Sequence, residues 1–166
     1  MKQQARQFAI ESHGEQRYGE HPYAVHLDAV AHIAEPFGEN AVTVAYLHDV
    51  VEDTEVSLSQ IKELFGSLVA SCVAILTDEP GDSRKERKAK TYEKMSQVSG
   101  ETELALIVKV CDRLANVKAC VADNNTRLLN VYQQEQATFR SAVYRPGLCD
   151  DLWHELEAAF NDASND

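Results

Sequence analysis

A chain of 166 residues is of single-domain size, and a make-up of 44% hydrophobic and 26% charged residues is that of a folded globular protein rather than a disordered one. The formal charge of −11 argues against a nucleic-acid polymer as partner, since affinity for a phosphate backbone needs clustered lysine and arginine. No apolar run reaches the ~20 residues of a bilayer span, and MKQQARQFAIESHGEQ at the start has no signal-peptide core.

Four cysteines, Cys72, Cys111, Cys120 and Cys149, form no C-x-x-C pair, which fits a reducing, cytoplasmic setting. Apolar residues recur three and four apart and no stretch alternates over strand length. The expected fold is therefore all-α, one domain over residues 1–160 with 161–166 as a frayed tail.

A first helix is interrupted by the turn formers of GEQRYGEHP, Gly14 to Pro22. Pro22 fits the first turn of the next helix, which runs through Val25, Val30 and Ile33 to about Ala34 before Pro36 and Gly38 stop it. A short helix is expected over Glu39 to Asp49. SLSQIKELFGSLVASCVAILT then gives two, with Ser57 and Gln60 in capping-box spacing and Gly66 between them. After DEPGDS, with Asp82 or Ser83 as cap, comes the polar helix RKERKAKTYEKMSQ. ETELALIVKVCDRLANVKACV is apolar on nearly all sides, as a helix in the middle of a bundle is. Helices from about Thr126 to Tyr144 and Cys149 to Phe160 close the chain.

Two of the apolar helices carry charge. In AVTVAYLHDVVEDT, His48 and Glu52 are four apart, as are Asp49 and Asp53, so four ionisable groups share adjacent faces of one helical turn. In LALIVKVCDRLANV, Lys109, Asp112, Arg113 and Asn116 form a polar stripe at spacings of three and four. Unpaired charge is costly in a core, so these groups must pair or ligate a metal. A lone His-Asp dipeptide or a lone Asp-Arg pair carries little information; their order along the chain carries more.

Three fragments stand in sequence: AIESHGEQRYGEHPYAVH, AYLHDVVEDT and KVCDRLAN, the last preceded by a basic helix. Together they resemble the HD-domain metal-dependent phosphohydrolases, and within them the hydrolase domain of the RelA/SpoT family in its small stand-alone form, over about Phe8 to Ala119. The resemblance implies an HD-type helical bundle that holds one divalent ion through His26, His48, Asp49 and Asp112. Two imidazoles and two carboxylates suit Mn²⁺, although affinity order alone favours other first-row metals. Such an ion activates water and polarises a phosphoryl oxygen. Glu52 is then the implied proton-transfer group, with Asp53 assisting.

The same resemblance assigns anion binding to Lys109, Arg113 and Asn116, with the basic run supplying Arg84 and Lys85 and, nearby, Arg87, Lys88 and Lys90. It sets Arg17 and Tyr18 against a nucleobase, Tyr18 standing where the family has lysine. His13 sits at a histidine position of the family; His21 falls in a turn, His32, six residues past His26, is turned from the ligand face toward a surface or supporting role, and His154 reads as packing beside Trp153.

The implied reaction is hydrolysis of guanosine 3′,5′-bis(diphosphate), ppGpp, to GDP and pyrophosphate. Val117, Lys118 and Ala119 replace the usual Met-Arg-Thr, and Leu27 replaces a proline. These departures leave open a phosphatase on another nucleotide, such as the 2′-phosphate of NADPH or a nucleoside monophosphate. A catalytically inactive nucleotide-binding module is the reading of another class. The expected partner is a small phosphorylated nucleotide, with no nucleic-acid polymer and no membrane, and with homo-oligomerisation left open. Neither a synthetase half nor a regulatory domain is expected.

Overall fold

The computed structural model describes residues 1–164. The all-α expectation holds: among the described residues there are ten α-helices and one minimal two-stranded ribbon. Helix α1 (Lys2–His13) buries Ala5, Ala9 and His13, a stripe at spacings of four. The segment expected as plain turn forms the ribbon, β1 (Arg17–Tyr18) antiparallel to β2 (His21–Pro22), with Tyr18 opposite His21. Gly19 turns it at φ 58°, a backbone that a side chain would strain.

Pro22 is paired in that ribbon with extended backbone, φ −57° and ψ 148°, so helix α2 (Tyr23–Ala34) begins one residue later than the sequence suggests. A 3₁₀ turn at Glu35–Phe37 follows. The helix expected over 39–49 ends earlier, as α3 (Glu39–Leu47), and a four-residue helix α4 (Val50–Asp53) resumes after a break at His48 and Asp49. Asp49 at φ −105° and ψ −4° marks the break.

Helices α5 (Leu58–Phe65) and α6 (Ser67–Leu76) are separated at Gly66. Both halves of the Ser57/Gln60 capping box form. Ser83, rather than Asp82, caps α7 (Arg84–Ser96) by accepting the Glu86 N–H. Helix α8 (Leu104–Ala122) is the axis of the molecule and packs against α2, α3, α6, α9 (Thr126–Val143) and α10 (Asp150–Ala163). Its fully buried Leu106, Val108, Val110, Leu114 and Val117 each contribute roughly 1.5–3 kcal/mol of hydrophobic stabilisation.

The tail expectation needs correction at residues 161–163. Helix α10 continues to Ala163 because Ala163 still packs on the core and the Ser164 hydroxyl donates to the Phe160 carbonyl. Residues 165 and 166 lie outside the described residues. All four cysteines are buried and free, and no described helix is long and apolar enough to cross a membrane.

Candidate metal centre and cation-lined cavity

Three elements deliver four candidate ligand groups to one point. Helix α2 supplies His26, the break between α3 and α4 supplies His48 and Asp49, and the middle of α8 supplies Asp112. Ligand atoms of His26, His48 and Asp49 all lie within 4.8 Å of one another. Asp112 Oδ1 is 3.2 Å from His26 Nε2 and 3.3 Å from His48 Nε2, and Asp49 Oδ2 is 3.0 Å from His48 Nε2.

His48 Nδ1 stands 2.6 Å from the Ala45 carbonyl oxygen, which can only accept, so Nδ1 carries the proton. That leaves Nε2, buried and without a hydrogen-bond partner, as the nitrogen turned toward the Asp49 and Asp112 carboxylates and able to ligate a cation in exchange for a proton. The nearby Asp49 oxygen is at ion-pair distance but not aligned for a hydrogen bond. Lone pairs of two imidazoles and two carboxylates facing one point fit a divalent cation, and the donor set has the supporting contacts such sites use.

Those contacts are specific. Tyr23 Oη donates to Asp49 Oδ2 at 2.5 Å, and Asn116 Nδ2 donates to Asp112 Oδ1 at 3.0 Å. The Lys109 ammonium donates to Asp112 Oδ2 at 3.2 Å. Burial works against a charged His48, yet the Asp49 and Asp112 carboxylates overcome it and hold its pKa well above the usual value. Burial likewise opposes the charged Asp49 and Asp112, but His48 and His26 keep Asp49, and Lys109 with the two histidines keeps Asp112, well below the ordinary carboxylate range.

These groups open onto a cavity of about 240 Å³. Its lining brings His26, Asp49, Glu52, Asp78 and Asp112 together with Arg84, Lys88, Lys109 and Arg113; Tyr18, Tyr23 and Tyr132 also face it. Glu52 is accessible to solvent and accepts the Asp78 N–H at 2.6 Å. Desolvation by the cavity walls raises its pKa, and the Asp78 and Asp49 charges add to that. Lys88 pairs with Asp78 at 2.8 Å. Burial and neighbouring Lys109 lower the Lys88 pKa, against the pull of Asp78. Arg84 and Arg113 share one carboxylate, Glu135, at 2.8 and 3.1 Å. Two guanidiniums on one carboxylate leave that cluster with a net positive charge, which suits an anion.

Four residues expected at the site do not line the cavity: His48, which is buried beside His26 and Asp49, and three others for reasons of local geometry. Arg17 is exposed and donates to the Glu20 carbonyl, because neighbours on a strand point to opposite faces and Tyr18 takes the inward one. Asp53 accepts from Gln16 Nε2 at 2.9 Å outside the cavity, since consecutive helical positions diverge by about 100° and Glu52 takes the inner one. Lys85 is exposed and borders a separate groove between α7 and α9, while Arg84 and Lys88, four apart, share the cavity face. Arg84, Tyr18, Lys109, Arg113 and Asn116 do border it.

His32 is exposed, and so is His154, which does not pack as the sequence suggests. His13 is buried, with Nδ1 2.8 Å from Gln16 Oε1 and its ring 4.5 Å from that of Tyr23. The sequence reading missed Tyr23, Asp78 and Glu135. Tyr23 had a signal in its place one turn before His26; Asp78 and Glu135 have none, since their partners are distant in the chain.

The sequence pattern of the family described as HD domain matches residues 5–146. The guanosine-3′,5′-bis(diphosphate) 3′-pyrophosphohydrolase of Aquifex aeolicus (strain VF5) is 31% identical over 159 residues, 93% of this chain but 23% of that protein. The guanosine-3′,5′-bis(diphosphate) 3′-pyrophosphohydrolase MESH1 of Danio rerio is 33% identical over 118 residues, 67% of this chain and 64% of that one. The chain thus spans about a quarter of the Aquifex relative and under two thirds of the zebrafish one. A solved structure described as "A metazoan ortholog of SpoT hydrolyzes ppGpp and plays a role in starvation responses" superposes with a TM-score of 0.76 at 24% identity, covering 97% of this chain and 94% of its own. A crystal structure from Listeria monocytogenes EGD-e gives a TM-score of 0.66 at 26% identity over 86% of this chain and 99% of its own. The fold of these structures is the fold seen here, the family pattern covers most of the chain, and the chain belongs to the HD-domain family.

Proposed function

We propose that this protein is a divalent-metal-dependent hydrolase that removes the 3′-diphosphate of guanosine 3′,5′-bis(diphosphate), giving GDP and pyrophosphate. The observation that carries the reading is the convergence of His26, His48, Asp49 and Asp112 beside a cavity that four cations also line. The names borne by the Aquifex and zebrafish relatives support the substrate. His26, His48, Asp49 and Asp112 would hold the ion, and Mn²⁺ is the ion proposed for this mixed nitrogen and oxygen set. When bound, a divalent ion supplies Lewis-acid polarisation of the phosphoryl group and a more acidic water.

The chain's own groups do the rest. Lys88, Lys109, Arg84 and Arg113 bind and orient phosphate oxygens against the net negative field of the protein. Water adds at the phosphorus attached to the ribose 3′-oxygen, and the bond to that oxygen breaks. Glu52, its pKa raised toward neutrality, takes the proton from the water and delivers one to the departing oxygen. Asp53 is not given that task, because its carboxylate faces Gln16. A cytoplasmic location goes with this reading, supported by the four free thiols.

The test is incubation of chelator-stripped protein with and without Mn²⁺ against a nucleotide panel. The expected products are GDP and pyrophosphate, only when metal is restored. Release of orthophosphate without pyrophosphate from every guanosine polyphosphate would refute the substrate assignment and favour a phosphatase.

A further inference from the structure

We propose that Tyr18 is a positioning residue for the metal-ligand set. The proposal rests on the metal-dependent reading above. The phenol ring of Tyr18 lies flat on the imidazole of His26, with centroids 4.5 Å apart and planes 13° from parallel. Its hydroxyl donates to Asn116 Oδ1 at 2.7 Å, across 98 residues of sequence. Asn116 Nδ2 in turn donates at 3.0 Å to Asp112 Oδ1, the oxygen that stands 3.2 Å from His26 Nε2 and 3.3 Å from His48 Nε2. One side chain therefore fixes the plane of one ligand and, through an amide, the carboxylate of another.

The polarity of this relay makes the hydroxyl matter. An asparagine amide has one accepting end and one donating end. Because the Asp112 carboxylate can only accept, the NH₂ is turned toward it, and the amide oxygen is left to take the Tyr18 hydroxyl as its donor. Without the hydroxyl the oxygen end of the amide loses its donor, and Asn116 is held at the Asp112 end alone. The ribbon explains how an early residue reaches the site: the turn at Gly19 holds β1 against β2, with Tyr18 inward and Arg17 outward. With one ring face already covered by His26, the phenol serves the ligands first, which replaces the base-stacking role that the sequence alone assigns to it.

The test compares wild type, Tyr18→Phe and Tyr18→Ala as stripped proteins. Mn²⁺ affinity is measured by competition with a chromophoric chelator, and kcat and KM at saturating Mn²⁺. Phenylalanine keeps the ring on His26 and removes only the hydroxyl, so it preserves the fold where alanine does not. The expected result is a Mn²⁺ affinity weakened about 10-fold in Tyr18→Phe, the scale seen when partners of metal ligands are removed, with kcat reduced and KM within twofold. Unchanged Mn²⁺ affinity in Tyr18→Phe, with KM raised and kcat kept, would overturn the proposal and make Tyr18 a substrate contact; no change in any of these would overturn it outright. If wild type itself bound no divalent ion, the metal-dependent reading would fall and this proposal with it, an outcome distinct from the other two.

Discussion

Replacing Glu135 by glutamine tests whether one carboxylate holds the guanidinium cluster together. Glu135 accepts from Arg84 Nε at 2.8 Å, from Arg113 Nη2 at 3.1 Å and from the Tyr92 hydroxyl at 3.3 Å. The Arg113 side chain is 2% exposed, so losing its counter-charge strands a buried cation, a change worth about 3–5 kcal/mol when a pair is fully buried. Two features reduce that figure. Glutamine keeps an acceptor, and Arg113 also lies over Tyr132 and Phe139 at 4.6 and 4.3 Å, which retains part of its stabilisation. Arg84, with a side chain 41% exposed, adds less than about 1 kcal/mol.

The expected loss is about 2–3 kcal/mol at pH 7, read from the urea midpoint at unchanged m value. This corresponds to a fall in Tm of about 4–12 °C for a chain of this size. Burial alone would raise the Glu135 pKa, but Arg84 and Arg113 outweigh it and hold it below the ordinary value. Folding therefore favours the ionised form. Its contribution is fully present above the unfolded-state pKa and is lost as pH falls through the depressed folded one, so wild type and variant should converge in acid. A loss under about 1 kcal/mol at pH 7, or a difference that persists in acid, would refute the reasoning.

Glu52→Gln should cut kcat by about 10²–10⁴-fold with Mn²⁺ affinity retained, and intact turnover would remove Glu52 from proton transfer. Because the Glu52 pKa is raised, the acid limb of the wild-type kcat profile should lie above the ordinary glutamate range; a limb at or below that range would count against its acting as the base. Lys88→Ala should raise KM while Lys85→Ala leaves it unchanged, since only Lys88 borders the metal-facing cavity; equal effects would mean that the α7 face is misassigned. Ser57→Ala should cost about 1 kcal/mol by removing the acceptor for the Gln60 N–H, and a neutral result in urea unfolding would show that the capping box contributes nothing.

The sequence by itself determined the helices and most of their ends, because a helix is set by periodicity and caps only a few residues apart. Ser57 with Gln60 needed no tertiary information, and the start of the polar helix was narrowed to Asp82 or Ser83 before the structure decided for Ser83. It also placed His26, His48, Asp49 and Asp112 in recognisable motifs, and the burial of α8 around Lys109, Asp112 and Arg113 announced that its charges had partners. What it left open were choices between neighbours: Arg17 or Tyr18, Glu52 or Asp53, Lys85 or Lys88. Each is decided by which face of a strand or helix turns inward, and that depends on packing against distant elements. The break at His48 and Asp49 and the ribbon at Gly19 belong to the same class, since both are held by contacts of the fold. Glu135 shows the limit most plainly: nothing around it in the chain marks it, and it acquires its place only when α7, α8 and α9 bring Arg84, Tyr92 and Arg113 to one carboxylate.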